Sequence, residues 1–413
     1  MEEQAVARER VLLCAVDTGA YDMEAALAEL RELTETAGGE TVAVVTQKRE
    51  APDRGSYLGS GRIVEMAAIC EQSEIDLVVV DDELTSVQQR NLEDALPCRV
   101  IDRTMLILDI FAARARSSEG RLQVELAQLQ YRLPRLLGQG GALSRLGGGI
   151  GTRGPGETKL ESDRRHIRRR IGALKAELEE VERRREEHRA RRRKDGYCAV
   201  AIVGYTNAGK STLLNALTDS DVLAEDKLFA TLDPTVRALR LPDGRTVMLS
   251  DTVGFVRRLP HHLVRAFRST LEEAVGADVI LNVCDASSEE AEEHLAVTRS
   301  LLNELGCGDT PQITVFNKCD RISALPESEG ASVCISAKER IGFDTLLDAI
   351  TAALPPDRRR VTLLLPFSKG ALAEECRRDG AVESEEWVAE GLRMTVTLGA
   401  RLLNLTEVYQ VEE

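Results

Sequence analysis

The sequence predicts an α/β protein of four consecutive domains, and three observations lead to this prediction. Apolar runs rich in Val, Ile and Leu alternate with amphipathic stretches in residues 1–103 and again in residues 197–357, which is typical of parallel α/β layers. In residues 104–196, apolar side chains recur at steps of three and four residues, which predicts a helical hairpin. In residues 358–413, three arginines at 358–360 mark a linker, and the tail from 361 reads as a strand (VTLLLP), a helix (SKGALAEECRRDG) and two strands ending in LRMTVTL and possibly LLNLTEV. This pattern favours a small C-terminal α+β domain.

The composition is that of a globular protein without membrane segments. Of the 413 residues, 43% are hydrophobic and 30% are charged, which excludes a largely disordered chain. No apolar run approaches the roughly 18 residues of a transmembrane helix, and the polar start MEEQAVARER lacks the apolar core of a signal peptide. The nine cysteines never lie two or three residues apart, which disfavours a zinc or thiol-redox pair. We therefore expect a cytoplasmic protein with reduced cysteines.

The first domain reads as a small parallel α/β layer. Its predicted strands and helices alternate in order: VLLCAV (11–16), a helix near 22–36, TVAVVTQ (41–47), a helix near 61–72, IDLVVVDD (75–82), a helix near 85–96, and CRVID (98–102). No phosphate-loop pattern occurs in this domain, and GSGR at 59–62 is too short to indicate one.

The second domain is predicted to be an antiparallel helical hairpin sealed by one apolar seam. The seam positions are Leu122, Leu126, Leu129, Leu133, Ile167, Ile171, Leu174, Leu178 and Val181. Pro134 is expected to end the first helix. The connection holds nine glycines between positions 138 and 156, so ordering it costs much entropy. It is either a slack linker or, because it carries Arg145, Arg153 and Lys159, a flexible basic tip that docks among phosphates.

Charge is distributed unevenly along the chain. The net charge is −15, which by itself argues against nucleic acid, but residues 163–195 hold fourteen Lys or Arg against eight Asp or Glu. Glutamates intermix with the arginines in the middle of this helix, so that part reads as a solvated face with ion pairs at i and i+4. The runs RRHIRRR and RARRRK at its two ends are not explained in this way. We interpret the helix as a basic arm.

The third domain opens with the spacing of a phosphate-binding loop. Gly204-Tyr-Thr-Asn-Ala-Gly-Lys-Ser211 follows the strand YCAVAIV and precedes the amphipathic run STLLNALT, which is the strand–loop–helix context that such a loop needs. Backbone N–H groups and the helix N-terminus would hold the phosphates. Lys210 would reach the β and γ oxygens, and Ser211 would supply a hydroxyl to Mg²⁺.

Three further motifs follow in order, each at the carboxyl end of a predicted strand. Asp251-Thr-Val-Gly254 would bind Mg²⁺ through water and bring the Gly254 N–H to the γ-phosphate. In Asn317-Lys-Cys-Asp320, Asp320 can accept hydrogen bonds from the guanine N1–H and N2 amino group, which selects GTP over ATP. Ser336-Ala-Lys338 can support the base from behind. Carboxyl ends of strands are where open parallel sheets bind ligands, so the four motifs together predict a GTP site.

The segment Phe229-Ala-Thr-Leu-Asp-Pro-Thr235 is expected to bring a threonine to Mg²⁺ when the γ-phosphate is present. Thr231 and Thr235 compete for this role, and Thr231 is preferred because Thr235 follows a proline and leads into the strand TVRALRL. Phe255 stands where many regulatory GTPases carry a glutamine that orients water, so the hydrolytic helper must come from elsewhere. Asn207 could ligate a monovalent cation such as K⁺.

At this point the sequence resembles a known family. GYTNAGKSTLLN, LFATLDP, DTVGFVRRLPHHLVRAFRSTLEE and GGGIGTRGPGETKLESDRR are similar to the HflX family of ribosome-associated GTPases, over residues 1–355. The resemblance implies a bacterial cytoplasmic GTPase that binds the large 50S ribosomal subunit and splits stalled or idle 70S ribosomes. It also implies docking of residues 1–196 on 23S ribosomal RNA, with the glycine-rich tip near the peptidyl-transferase region. Family members show some ATP binding through the N-terminal part, for which this chain has no local signature.

The predicted architecture is thus α/β, with a P-loop GTPase domain (197–357) preceded by a small parallel α/β domain and an antiparallel helical hairpin, and followed by a small C-terminal α+β domain. Lys210, Thr231 and Gly254 are the candidate catalytic groups, and the metal ligands are Ser211 and Thr231, with Asp251 through water. The candidate contacts to GTP or GDP are Gly204, Tyr205, Thr206, Asn207, Ala208, Gly209, Lys210, Ser211, Phe229, Ala230, Thr231, Leu232, Asp233, Asp251, Thr252, Val253, Gly254, Asn317, Lys318, Cys319, Asp320, Ser336, Ala337 and Lys338.

Two rival functions remain open from the sequence. One is a large-subunit assembly or hibernation GTPase that binds RNA without splitting ribosomes. The other is a GTP-switched adaptor whose hairpin is a coiled-coil arm for a protein partner. In each case we expect a monomer with slow turnover alone and faster turnover on its partner.

Overall fold

The computed structural model describes residues 8–136, 155–194, 197–219, 228–229, 235–258, 260, 263, 274–322, 330–355 and 358–411. They form two compact units. The first consists of the described residues within 1–179, 225–233 and 254–268, and the second of those within 180–224, 234–253 and 269–413.

The first unit begins with alternating strands and helices. They are β1 (Arg10–Asp17), α1 (Met23–Thr36), β2 (Glu40–Lys48), α2 (Ser60–Gln72), β3 (Leu77–Val80), α3 (Ser86–Ala95) and β4 (Arg99–Asp102). The four strands form a parallel sheet in the order β2-β1-β3-β4. Polar side chains start the helices: Asp22 accepts from the Ala25 N–H, and Thr85 forms a capping box with Gln88. The predicted parallel α/β layer is therefore found, with each element within two residues of its expected bounds.

Three further helices follow: α4 (Arg103–Arg114), α5 (Ser118–Arg135) and α6 (Pro155–Lys194). Arg170 of α6 forms a two-armed ion pair with Glu125 of α5 at 2.7 Å, and Ile167 lines the same cavity as Tyr131 of α5. Sequence position therefore rises along one helix as it falls along the other, so α5 and α6 are antiparallel. The glycine-rich connection between them lies outside the described residues.

The apolar seam of this hairpin differs in part from the expectation. Leu174 of α6 is fully buried, and its neighbours at seam spacing are half-buried. On α5, however, Val124, Ala127 and Tyr131 are buried more deeply than most of the predicted leucines, because α5 also packs against α4. Pro134 lies inside α5, which continues to Arg135; the proline ends the helix one residue later than predicted.

The second unit contains the large sheet. Its elements are β5 (Cys198–Gly204), α7 (Lys210–Thr218), β6 (Thr235–Arg240), β7 (Thr246–Asp251), β8 (Val279–Asp285), α8 (Ala291–Glu304), β9 (Gln312–Asn317), β10 (Ser332–Cys334) and α9 (Phe343–Ala353). The strand order is β10-β9-β8-β5-β7-β6, and all neighbours are parallel except β6, which runs antiparallel to β7. The central strands are Val- and Ile-rich and buried on both faces, as expected for a parallel sheet with helices on either side.

The C-terminal part adds an antiparallel sheet. Its elements are β11 (Arg358–Leu365), α10 (Gly370–Asp379), β12 (Ala381–Val388), β13 (Gly391–Gly399), α11 (Ala400–Thr406) and β14 (Gln410–Val411), and the strand order is β12-β13-β11-β14. Phe367 and Trp387 are both about two-thirds exposed, and their rings stack with 5.9 Å between centroids and 4° between planes.

Two expectations for this region were wrong. The three arginines at 358–360 belong to β11 rather than to a linker, because they pair with β13 along a register that extends to Gly399. The run LLNLTEV forms α11 rather than a strand. Leu402 is buried in the C-terminal core, and Leu405, three positions later, packs against that core partly buried, which is helical spacing.

None of the described helices has the length and apolar character needed to cross a membrane. The nine cysteines are free thiols, five of them buried.

Candidate functional site

The phosphate loop connects β5 to α7. Asn207 and Gly209 take left-handed conformations, with φ of 61° and 93°. A Cβ at Gly209 would lie 2.3 Å from Nδ2 of Asn317, so this position accepts only glycine. The loop therefore turns sharply into the N-terminus of α7, where backbone N–H groups favour an anion.

Lys210 begins α7 and is only 6% exposed. Its Nζ donates to the backbone carbonyl of Tyr205 at 2.7 Å, within the same loop. Burial lowers the pKa of Lys210 to about 8, while the Asp251 carboxylate acts in the opposite direction. A buried cation beside a helix N-terminus is suited to the negative charge of phosphate groups.

Ser211 and Asp251 meet at the edge of the sheet. The Ser211 hydroxyl donates to Oδ2 of Asp251 at 2.6 Å, and Asp251 is fully buried at the end of β7. The next residue, Thr252, is fixed by its own hydroxyl, which donates to the Ile202 carbonyl of β5 at 2.7 Å. A hydroxyl and a carboxylate are hard oxygen ligands of the kind that Mg²⁺ prefers, so this pair fits a magnesium ion.

Asn317 links three of the four motifs. Its Nδ2 donates to the Ala208 carbonyl of the phosphate loop at 2.9 Å, and its Oδ1 accepts from the Ala337 N–H at 2.9 Å. Asn317 is 3% exposed at the end of β9. The phosphate loop, the Asn317–Asp320 motif and the Ser336–Lys338 motif are therefore assembled by the hydrogen bonds of one side chain.

Asp320 presents the carboxylate expected to read the base. A hydrogen bond from the Ser336 hydroxyl lowers the pKa of Asp320 below its usual range, so the group is ionised at neutral pH. The chain around it is held by the Cys319 N–H, which donates to the Ile335 carbonyl at 3.0 Å, and by an ion pair of 2.7 Å between Lys318 and Asp285. An ionised carboxylate can accept two hydrogen bonds from guanine.

Other predicted residues belong to the first unit or lie outside the described residues. Gly254 and Phe229 belong to the first unit, where the Phe229 ring packs edge-on against Phe111 of α4 with centroids 4.7 Å apart. Ala230, Thr231, Leu232 and Asp233 lie outside the described residues. Lys338 is exposed.

One contact of the phosphate loop was not predicted from the sequence. The Tyr205 ring stacks on His294 of α8, with centroids 3.8 Å apart. These two residues are 89 positions apart, and neither belongs to a motif that pairs them.

Comparison with known proteins agrees with this geometry. Three protein-family models match consecutive parts of the chain: GTP-binding GTPase N-terminal (24–112), GTP-binding GTPase Middle Region (114–192) and 50S ribosome-binding GTPase (199–318). GTPase HflX of Caldanaerobacter subterraneus is 52% identical over 98% of this chain and 95% of its own length. The chain belongs to the HflX family of GTPases.

Relatives within the HflX family extend across distant bacteria. GTPase HflX of Escherichia coli is 44% identical and covers 89% of this chain and 88% of its own length. A solved structure of a GTP-binding protein from Sulfolobus solfataricus in complex with GDP is 25% identical, covers 84% of this chain and 98% of its own, and has a TM-score of 0.44. As a member of the HflX family of GTPases, this chain is a P-loop protein that binds guanine nucleotides and hydrolyses GTP.

Proposed function

We propose that the GTP-bound protein binds the 50S ribosomal subunit through its 23S RNA and separates the subunits of stalled or idle 70S ribosomes. The observation that carries this proposal is a cluster of exposed arginines on α6. Arg165, Arg168 and Arg169 lie at i, i+3 and i+4, on one face of the helix. Among the described residues, none of the three has a carboxylate within ion-pair distance.

The same helix provides an internal comparison. Arg183 is paired with Glu180 at 2.8 Å and also with Glu187, and Arg184 pairs with Glu180 at 3.0 Å. The middle of α6 is thus neutralised by its own acidic side chains, whereas the end near the glycine-rich connection keeps its positive charge. A cationic face on a protein with a net charge of −15 supports a polyanionic partner, and the name of the family model for residues 199–318 supports the large ribosomal subunit.

We assign the chemistry of GTP hydrolysis to residues of the nucleotide motifs. We propose that Lys210 and the Gly254 N–H stabilise the γ-phosphate, and that Ser211 and Thr231 ligate Mg²⁺ with Asp251 acting through a water molecule. Lewis-acid stabilisation of phosphate charge is what the metal supplies when bound. Asn207 is the candidate for a K⁺ ion beside the phosphates. The four domains (1–103, 104–196, 197–357 and 358–413) are proposed to divide these tasks, with RNA docking in the first two and GTP hydrolysis in the third, in a monomer.

Sedimentation of 70S ribosomes tests the proposal. Ribosomes are incubated with the protein and GTP, GDP or a non-hydrolysable GTP analogue, and are then separated on sucrose gradients. We expect the analogue to convert the 70S peak into 50S and 30S peaks with the protein on the 50S peak, and we expect GDP to leave the 70S peak intact. Binding to 50S without loss of 70S would favour an assembly or hibernation factor instead. Absence from every ribosomal fraction would favour an adaptor for a protein partner.

A further inference from the structure

The stacked pair of Tyr205 and His294 connects the phosphate loop to a helix that carries none of the predicted nucleotide motifs. Tyr205 is the second residue of the loop, directly after β5, and it is 6% exposed. His294 lies in the first turn of α8. The two ring planes differ by 14° and the centroids lie 3.8 Å apart, so the Tyr205 ring rests flat on the imidazole. The side chain of a loop residue is therefore held by a neighbouring helix.

The backbone carbonyl of Tyr205 is a shared acceptor within the phosphate loop. It accepts from the Ala208 N–H at 3.3 Å, which closes the turn 205–208, and from Nζ of Lys210 at 2.7 Å. Lys210 is the candidate group for the β- and γ-phosphates. Because the ring and the carbonyl belong to one residue, a contact that fixes the Tyr205 ring also restricts the carbonyl that holds Lys210.

The loop benefits from such support because parts of its backbone are unfavourable. Asn207 has a φ of 61°, in the left-handed region that non-glycine residues adopt uncommonly. The start of the loop is fixed at Gly204, where a Cβ would lie 2.1 Å from the Val283 carbonyl of β8. In a protein without nucleotide, phosphate groups do not hold the N–H groups that follow. The stack on α8 then stabilises the loop at its second residue.

The helix side of this contact is itself well fixed. The His294 N–H donates to the Glu290 carbonyl at 3.0 Å, and the His294 carbonyl accepts from the Thr298 hydroxyl at 2.9 Å. Nε2 of the imidazole lies 3.5 Å from Oε2 of Glu290, and the His294 side chain is 13% exposed. Leu295 and Leu302 of the same helix are buried. His294 is thus a rigid support for the Tyr205 ring.

We propose that His294 is a positioning residue of the GTPase site, which holds the phosphate loop in its nucleotide-binding conformation through the ring of Tyr205. It acts on the empty protein, where it raises the fraction of molecules whose loop and Lys210 are ready to receive the phosphates. Once a nucleotide is bound, the phosphates themselves hold the loop. This role belongs to the isolated protein, so it holds or fails independently of the proposed action on ribosomes.

Stopped-flow binding of fluorescently labelled GDP to the full chain tests the proposal. We expect His294→Ala to lower the association rate constant by about three- to tenfold, which is the factor that the loss of one aromatic contact gives. The dissociation rate constant should stay within about twofold, because the bound loop is held by the phosphates. The affinity loss should therefore appear in association.

Three further variants show whether His294 acts through the Tyr205 ring. His294→Phe keeps a flat ring under Tyr205 and should restore the association rate. Tyr205→Leu should slow association by a factor similar to that of His294→Ala, and the double variant should be no slower than Tyr205→Leu alone, since both changes remove the same contact. Arg299→Ala changes an exposed residue of α8 and should leave both rates unchanged.

Several outcomes would overturn the proposal. Unchanged association in His294→Ala would remove the role of the stack, and a loss that appears in dissociation would place it in the bound state. Equal slowing by His294→Ala and His294→Phe would indicate a general weakening of α8, and additive losses in the double variant would show two separate effects. If His294→Ala does not fold, Tyr205→Leu tests the same contact from the loop side, and unchanged association in that variant also overturns the proposal.

Discussion

We expect a single side chain, that of Asp320, to decide which nucleotide this GTPase accepts. We expect Asp320→Asn to lower the affinity for GDP by at least about tenfold, because an amide cannot accept two hydrogen bonds from the guanine N1–H and N2 amino group. Affinity for xanthosine nucleotides, which carry an oxygen in place of the N2 amino group, should rise. Fluorescence titration with labelled nucleotides measures both affinities.

The control for this change is Asp309→Asn, an exposed carboxylate after α8 in the same unit. It should leave both affinities unchanged. Unaltered GDP affinity in Asp320→Asn would contradict the assignment of Asp320 to base recognition.

We expect the buried Lys210 to make nucleotide binding depend on pH. Its pKa is about 8, so the amine is largely neutral at pH 8.5 and largely protonated at pH 7.0. Phosphate groups favour the charged form, and binding of GDP should therefore raise this pKa and take up a proton. We expect proton uptake on GDP binding at pH 8.5 and little at pH 7.0.

Titration calorimetry in buffers of different ionisation enthalpy measures this uptake. The experiment at pH 7.0 serves as its own control, since the same protein and ligand are used. Equal proton uptake at the two pH values would show that Lys210 is not the group that responds to the phosphates.

At the scale of one element, the exposed arginines of α6 are predicted to contact RNA phosphates, and this prediction can be tested by mutation. Replacement of Arg165, Arg168 and Arg169 by alanine removes three cations without a carboxylate partner among the described residues. If they contact RNA phosphates, the slope of log K against log salt for 50S binding should decrease in magnitude by about two to three. Binding at low salt should weaken at the same time.

The double variant Arg183→Ala/Arg184→Ala is the matched comparison on the same helix, because these arginines are already neutralised by Glu180 and Glu187. Its slope should stay close to that of the unmodified protein. A salt-independent affinity for all three proteins would favour an apolar protein–protein contact instead.

For the molecule as a whole, the apolar residue at position 255, directly after Gly254, predicts slow GTP hydrolysis by the isolated protein. Phe255 is apolar and buried, so it cannot orient the attacking water. We expect purified 50S subunits to raise the GTPase rate by orders of magnitude, and 30S subunits alone to have little effect. Phosphate release over time measures the rates, and a response of the same size to both subunits would speak against a specific partner.

Most of the architecture could be predicted because its helices and strands follow from local sequence patterns. Strands such as Val279–Asp285 are continuous apolar runs, and the four nucleotide motifs each stand directly after one of them, so the strand ends also locate the motifs. The exceptions are short segments with two periodic interpretations. The run LLNLTEV is too short for its apolar spacing to distinguish a helix from a strand. In the structure it forms a helix, which places Leu402 in the C-terminal core.

Contacts between distant parts of the chain could not be predicted in this way. The ion pair of Arg258 with Asp81 joins residues 177 positions apart, and no sequence pattern relates the two positions. The available hint was chemical: two consecutive aspartates follow a buried strand, and two consecutive arginines follow a nucleotide motif. Such a hint indicates that charge must be compensated but leaves the partner open.

The stacked pair of Phe367 and Trp387 has a practical consequence. Trp387 is the only tryptophan among 413 residues, and it lies on the C-terminal antiparallel sheet. Emission excited selectively at tryptophan is therefore a native fluorescent label for this small sheet alone. Its emission spectrum can show when the C-terminal sheet unfolds or binds another molecule, while circular dichroism follows the secondary structure of the whole chain.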